Sequence, residues 1–347
     1  MFHRTPGELG KELVEMNDCM PHYYRITNGH GQGAERIMNA EAEFLQGRFV
    51  DAQICLENTY VHIAENGQEN MVLCCDFLAL RLALCTELTL SYTIAERRKE
   101  LLRRHNITWV TLFDSACAYY YALSGQITQI PVLFREHQLS TVNFLAPGKP
   151  MMELIENQVY LAQQEYAKVI GRSEGLLAVC EAMHYALVAL HVQIQTAAAY
   201  ECLGKRTEAR NCLKCALQIA LPDQFYLPFV ENYEYLEELL QREIQTADAA
   251  EHVFLTKVTE LGKNCQKRYG ALRKTHMFPE IAAELTEQEQ RIIELLAERL
   301  SNREIAEKLF LSEGTIKQYI NRIYAKLQIS GDVRTKRRQL IELLTTD

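Results

Sequence analysis

LTEQEQRIIELLAERLSNREIAEKLFLSEGTIKQYINRIYAKLQI, residues 285–329, decides how the end of this chain folds. It reads as three short helices. Thr286 is followed three residues on by Glu289, and Ser301 by Glu304, which is the spacing of a capping box. In each, the hydroxyl accepts an orphan backbone N–H and the glutamate reaches back to the cap. Ser312 opens the third helix as an N-cap without a glutamate partner. Behind the caps the apolar residues recur at helical spacing: Leu285, Ile292 and Leu296, then Ile305 and Leu309, then Ile316, Ile320, Ile323 and Leu327. Only Phe310 and Leu311 separate the second helix from the third, so the two must meet at a tight corner.

Outside this stretch the composition bounds the answer. The chain has 347 residues, enough for about two domains. Its net charge of −8 excludes a protein that coats nucleic acid non-specifically, so any such contact needs a local basic surface. Eleven cysteines without a signal peptide suit reduced thiols in a cytosol. MFHRTPGELG lacks the apolar core of a leader, and no run approaches the roughly 20 apolar residues of a membrane span. A soluble, cytoplasmic protein is expected.

From Ala34 to about Leu261 the pattern is helical almost throughout, with Pro131, Pro147, Pro150, Pro222 and Pro228 falling between segments. Two segments align with each other. Gly47, Ala52 and Leu56 have the same offsets as Gly204, Ala209 and Leu213, and Gly125 with Ile130 repeats part of the pattern. Glycine frees the turn between two antiparallel helices, the small residue lets them approach, and the leucine fills the groove. The expected fold is therefore all-α, a solenoid of helical hairpins like tetratricopeptide repeats, followed by the small three-helix end. NGHGQG (28–33) lacks the Gly-Lys-Ser/Thr of a phosphate loop and reads as a connection between helices.

Candidate sites in the helical region are few. Residues 109–123, WVTLFDSACAYYYAL, are the most aromatic stretch; Trp109, Tyr119 and Tyr120 are the candidates to line a ligand site, against the plainer reading of core packing. Cys212 and Cys215 form a CxxC, but a zinc site needs a second pair and none exists. His184 and His191 are two helical turns apart with no ligand-type neighbour, so no metal or cofactor is expected. No nucleophile–base or paired-carboxylate constellation supports an enzyme. Near the end of the region Lys263, Lys267, Arg268, Arg273 and Lys274 make a basic run before Met277-Phe278-Pro279 breaks the helix.

The third C-terminal helix carries the chemistry. With Ile316, Ile320 and Ile323 turned inward, Glu313, Lys317, Gln318 and Asn321 face outward. Lysine reaches guanine O6/N7 or a phosphate, while glutamine and asparagine pair bidentately with adenine. Arg322 and Lys326, further along, suit phosphates, and Ser301 and Asn302 stand at a helix N-terminus where an anion binds. From Ser312 to Leu340, seven basic residues face two acidic ones. An acidic chain thus ends in a positive segment.

These residues resemble the LuxR/FixJ-type DNA-binding domain, through LT-x-x-E (285–289), SN-x-EIA-x-x-LFLS (301–312) and TIK-x-Y-x-x-x-IYAKL (315–327). The resemblance implies that Lys317, Gln318 and Asn321 face the groove and adds Thr315 to the DNA-binding set. It departs at Arg299 and Gln328, where glycine is usual, at the longer SGDV after Ile329, and at Arg337, a position normally small. The family's fourth helix, here about Thr335–Leu344, often forms a dimer contact. Residues 158–177, 204–216 and 216–240 resemble the tetratricopeptide-type region of MalT-like regulators. There an ATPase precedes the superhelix, so this chain is either a natural short form or the sensor–effector portion of a longer protein; its start at Met1 suits the second.

Three segments are expected: 1–262, a repeat domain that senses or interacts; 263–279, a basic helix end and linker; and 280–347, the helix-turn-helix domain. The function implied is that of a transcription regulator, read as an activator, on double-stranded DNA. RNA polymerase, a small-molecule or protein inducer and a second copy of the chain are the implied partners. The rivals are a sigma-like polymerase subunit and a repeat scaffold that binds only proteins.

Overall fold

A computed structural model describes residues 3–66, 68–88, 90–144, 146–276, 285–297 and 300–326, with 329, 336, 337, 339 and 340. The break expected at Met277-Phe278-Pro279, Arg299, Gln328, the SGDV segment and most of the expected fourth helix lie outside these residues. Every regular element among the described residues is helical. The chain divides into two compact units, 1–270 and 271–347.

The first unit is a two-layer array of helices. They are α1 (Leu9–Ile26), α2 (Ala34–Leu45), α3 (Phe49–Asn66), α4 (Glu69–Cys85), α5 (Ile94–Arg103), α6 (Ile107–Leu123), α7 (Val132–Arg135), α8 (Lys149–Ala162), α9 (Tyr166–Met183), α10 (Ala186–Cys202), α11 (Arg206–Ala220), α12 (Leu227–Glu231), α13 (Tyr233–Ile244) and α14 (Ala249–His276). Helices α2, α4, α6, α8 and α10 pack in succession, each beside the next. Composition explains the layering. In α4, α6, α8 and α10 nearly every residue after the first turn is buried, so these helices need cover on all sides. Helix α9 buries only Val169, Leu176 and Cys180, and α11 only Ala209, Leu213, Ala216, Leu217 and Ala220; these amphipathic helices form the outer layer. Helix α14 runs unbroken across the expected boundary at 262.

Hairpin corners repeat one backbone motif. Gly47, Gly125 and Gly204 have φ of +74°, +71° and +72°, as the repeat pattern requires. At each, the residue after the glycine donates its N–H back across the last turn: Arg48 to Glu43, Gln126 to Tyr121 and Lys205 to Tyr200, at 2.8–2.9 Å. Five residues beyond each glycine stand Ala52, Ile130 and Ala209, all essentially inaccessible. Other corners use the same backbone without glycine, Gln164 and His184 among them. Gln164 (φ 61°) turns α8 into α9, with Glu165 N–H bonded to Tyr160 and Val169 buried at the +5 position. His184 (φ 54°) turns α9 into α10. The NGHGQG stretch is the connection from α1 to α2, with Gly29, Gly31 and Gly33 at positive φ.

The array closes on itself, its late helices packing against its early ones. Helix α12 packs against both α2 and α10. Tyr226 N–H donates to Leu45 C=O at 2.9 Å, and Arg268 Nε to Ala83 C=O at 2.7 Å. Inside, Arg81 of α4 donates from Nε to Glu231 Oε1 at 2.7 Å and from Nη2 to Oε2 at 3.2 Å, with Glu41 of α2 3.5 Å from Nη1. Tyr119 of α6 donates its hydroxyl to Glu231 at 2.9 Å. Phe44 lies 4.7 Å beneath the guanidinium. Four helices separated by up to 190 positions in sequence thus share one charge pair. Burial and the proximity of Arg81 push His191 down to about 3, so this imidazole is neutral.

Two outcomes test this account. Glu231→Ala leaves Arg81 buried without its closest carboxylate and should cost about 3–5 kcal/mol in urea unfolding followed by helical circular dichroism. Gln164→Gly should raise stability by about 0.5–1 kcal/mol, because a left-handed corner strains a side chain, and Gly204→Gln should lower it by a similar amount.

Candidate nucleic-acid interface

The second unit builds its exposed face from three capped helices: α15 (Glu287–Ala297), α16 (Asn302–Leu309) and α17 (Glu313–Lys326). Each expected cap is present. Thr286 N–H and Oγ donate to Glu289 Oε2 at 2.8 and 3.0 Å. Ser301 and Glu304 complete a capping box on α16, and Thr315 N–H donates to Ser312 Oγ at 3.0 Å on α17. The corner between α16 and α17 turns at Phe310 (φ 54°), where Leu311 N–H returns to Ala306 C=O at 3.0 Å. Behind the caps, Leu285, Ile292, Leu296, Ile305, Ile316, Ile320 and Ile323 form the core, joined by Ile293, Tyr324, Ile329 and Leu340.

That core fixes which side of α17 faces out. Lys317, Gln318, Asn321 and Arg322 are exposed on one surface. Lys317 pairs with Glu313 one turn earlier at 3.0 Å, and the Arg322 guanidinium lies 5.5 Å over the Tyr319 ring. Thr315 is half-buried beside the cap, its hydroxyl 2.7 Å from that of Ser312. Such a face offers donors and acceptors to base edges and cations to phosphates.

Three predicted residues have other work in this structure. Lys326 turns its ammonium to Glu289 Oε2 at 2.7 Å, joining α17 to α15. Ser301 serves its capping box. Asn302 accepts from Arg337 Nη1 at 2.7 Å through its Oδ1, while Arg337 Nη2 reaches Leu300 C=O at 2.5 Å. Arg337, an oddity in sequence, therefore pins a later segment to the entrance of α16. Glu289 was legible only as a cap partner. Its side chain is 3% exposed. The signal was its position three and seven residues before Ile292 and Leu296: a carboxylate on an inward face requires a cation. Burial pushes Glu289 up, but the Lys326 ammonium and the Thr286 N–H and hydroxyl outweigh it and hold the carboxyl below its ordinary range.

The aromatic candidates of the first unit do not converge on one site. Trp109 is half-buried on the first turn of α6, about 15 Å along the helix axis from Tyr119 and Tyr120. Tyr119 is inside, bonded to Glu231, and Tyr120 is buried with its ring edge-on to Tyr121 at 5.3 Å. A ligand at Tyr119 would have to displace Glu231. Two grooves lie elsewhere on this unit. One of about 350 Å³ runs between Arg210, Lys214 and Leu221 on one side and Glu243, Thr246 and Glu251 on the other; one of about 500 Å³ includes Leu177, Tyr200, Cys212 and Cys215.

Comparison with known proteins agrees with the geometry of the second unit. Residues 283–337 match the family described as bacterial regulatory proteins, luxR family. Over 43 residues the chain is 49% identical to the DNA-binding transcriptional activator DevR/DosR of Mycobacterium tuberculosis (strain ATCC 25618 / H37Rv), covering 12% of this chain and 20% of that protein. Over 90 residues it is 36% identical to the uncharacterized transcriptional regulatory protein YxjL of Bacillus subtilis (strain 168), covering 26% and 39%. The chain thus spans well under half the length of these curated relatives. No solved structure matches it. Its C-terminal end carries a luxR-family helix-turn-helix domain.

The Glu289–Lys326 pair has a pH signature. Its folded-state carboxyl lies below the unfolded value, so the stabilisation is complete above about pH 4.3 and is lost as pH falls through the folded value. Glu289→Gln should lower the stability of this unit at neutral pH by about 1–2 kcal/mol, combining a lost cap partner and a partly exposed ion pair. The gap from wild type should narrow on acidification, as read by thermal unfolding at a series of pH values.

Proposed function

We propose that this chain is a transcription regulator that binds double-stranded DNA in a sequence-specific manner through α17. The observation that carries this reading is the exposed row Lys317, Gln318, Asn321 and Arg322, held outward by the isoleucines of α17 beneath it. Thr315, Ser301 and Asn302 stand near helix starts and add phosphate contacts. Lys326 contributes chiefly by holding α17 against α15. Similarity to a DNA-binding transcriptional activator supports activation over repression.

Residues 1–262 serve as the sensing or interaction part, a MalT-like tetratricopeptide-type array, and 280–347 as the DNA-binding part. The closed packing of the first unit favours its grooves over an open concave surface for an inducer or partner protein. Neither its packing nor its lining residues favour the aromatic stretch at 109–123 as the ligand site. Paired copies on neighbouring half-sites and contact with RNA polymerase complete the reading.

Fluorescence anisotropy of the full chain with duplex DNA tests it. Binding should weaken at least about tenfold between 50 and 200 mM salt, as released counterions dictate. Lys317→Ala should weaken it further at every salt concentration without changing helical content. Binding that ignores both salt and this substitution would overturn the proposal and favour a scaffold that binds only proteins.

A further inference from the structure

Helix α17 carries a single acidic residue, Glu313, and it stands where a carboxylate is least welcome on a DNA-reading surface. It is the first residue of the helix, and the N-terminal residues of a recognition helix are those that reach base edges. Its side chain is half exposed, and its carboxylate lies 3.0 Å from the Lys317 ammonium, itself 60% exposed. The other exposed side chains of the helix, Lys317, Gln318, Asn321, Arg322 and Ala325, are basic or neutral. Facing a polyanion, a lone carboxylate is repelled unless it finds a donor.

The major groove has such donors only in the amino groups of cytosine N4 and adenine N6. An ionised carboxylate only accepts, and an ammonium only donates. A cytosine–guanine pair presents complementary chemistry side by side: the cytosine N4 amino group donates, and guanine O6 and N7 accept. The N4 and O6 of one pair are themselves at hydrogen-bond distance, about 3 Å. That matches the spacing of the Glu313 and Lys317 head groups.

We infer that Glu313 and Lys317 together read one cytosine–guanine pair, Glu313 accepting from cytosine N4 and Lys317 donating to guanine. Glu313 is then a specificity-determining residue. This rests on the proposal above that α17 enters the major groove. Away from the correct pair the same contact has the opposite effect. The carboxylate stays on Lys317, blunts its grip on phosphates and repels the backbone, so Glu313 weakens binding to the wrong sequence. An acidic residue at a helix start also favours the helix dipole, but that effect carries no base preference.

The test is selection of bound duplexes from a pool with a randomised centre, by the full-length wild type and by Glu313→Gln, followed by anisotropy on the selected site and its single-pair variants. The substituted and parent proteins should melt within about a few degrees of each other, because the pair removed lies at the surface. In the wild type, replacing one particular cytosine–guanine pair by thymine–adenine should cost about 5- to 150-fold in affinity. In Glu313→Gln that penalty should shrink at least about threefold, the cytosine contact being weakened while Lys317 keeps its guanine, and binding to unselected duplex should become tighter, because a repelled charge is gone. If Glu313→Gln keeps the wild-type preference at every position and merely binds all duplexes more tightly, Glu313 is a repulsive helix-start group and the inference fails alone. If the wild type binds no duplex, the DNA-binding proposal fails first and takes this inference with it.

Discussion

The Arg81–Glu231 pair is the interaction on which the first unit depends. A guanidinium and a carboxylate withdrawn from water cost several kcal/mol each unless every bond is made, so they enforce one geometry. Arg81 has two bonds to Glu231, a third carboxylate contact to Glu41 and an aromatic floor in Phe44; Glu231 also accepts from Tyr119. Since these residues belong to α4, α12, α2 and α6, the pair is satisfied only when the array has curled far enough to bring its last helices to its first. An open superhelix would leave Arg81 without Glu231. Closure is therefore a consequence of charge burial as much as of hydrophobic packing.

A second buried carboxylate performs the parallel task in the C-terminal unit. Glu289 caps α15 and at the same time receives Lys326 from the far end of α17. One side chain thereby sets the start of the first helix and the lie of the last. Arg337 adds a second tie at the entrance of α16. With these contacts made, the exposed residues of α17 are presented on a braced helix, and their spacing is set by the helix itself. Precision of this kind matters for base recognition, where a bidentate contact tolerates little displacement.

Much of the fold was legible wherever a local rule wrote it into residue types. Gly47, Gly125 and Gly204 announced their corners because a left-handed turn selects glycine, and the buried residues five positions on confirmed the spacing. Gln164 and His184 turn the same corner without announcing it, since the surrounding packing overrides the preference of about 1–2 kcal/mol. At these corners the backbone of the repeat recurs while its residues do not. Tyr119 shows the complementary case. An aromatic with a hydroxyl suits a ligand site or a core equally well in sequence, and only the approach of Glu231, 112 positions away, gives that hydroxyl a partner inside the unit.

The sequence alone determined the caps, the helical period, the inward isoleucines of α17 and therefore the outward row from Lys317 to Arg322. All of these follow from residues within a few positions of one another, where the geometry of a single helix suffices. The tertiary structure decided what each charged group is for. Lys326 and Lys317 look alike in sequence, yet one is committed to Glu289 inside the unit and the other remains at the surface beside Glu313. It also decided that the first unit closes, and that Arg337 reaches back to Asn302. The physical reason is the same in each case. The free energy of a charge depends on its partner and its distance from water, and both are set by chain segments too far apart in sequence for any local pattern to bring together.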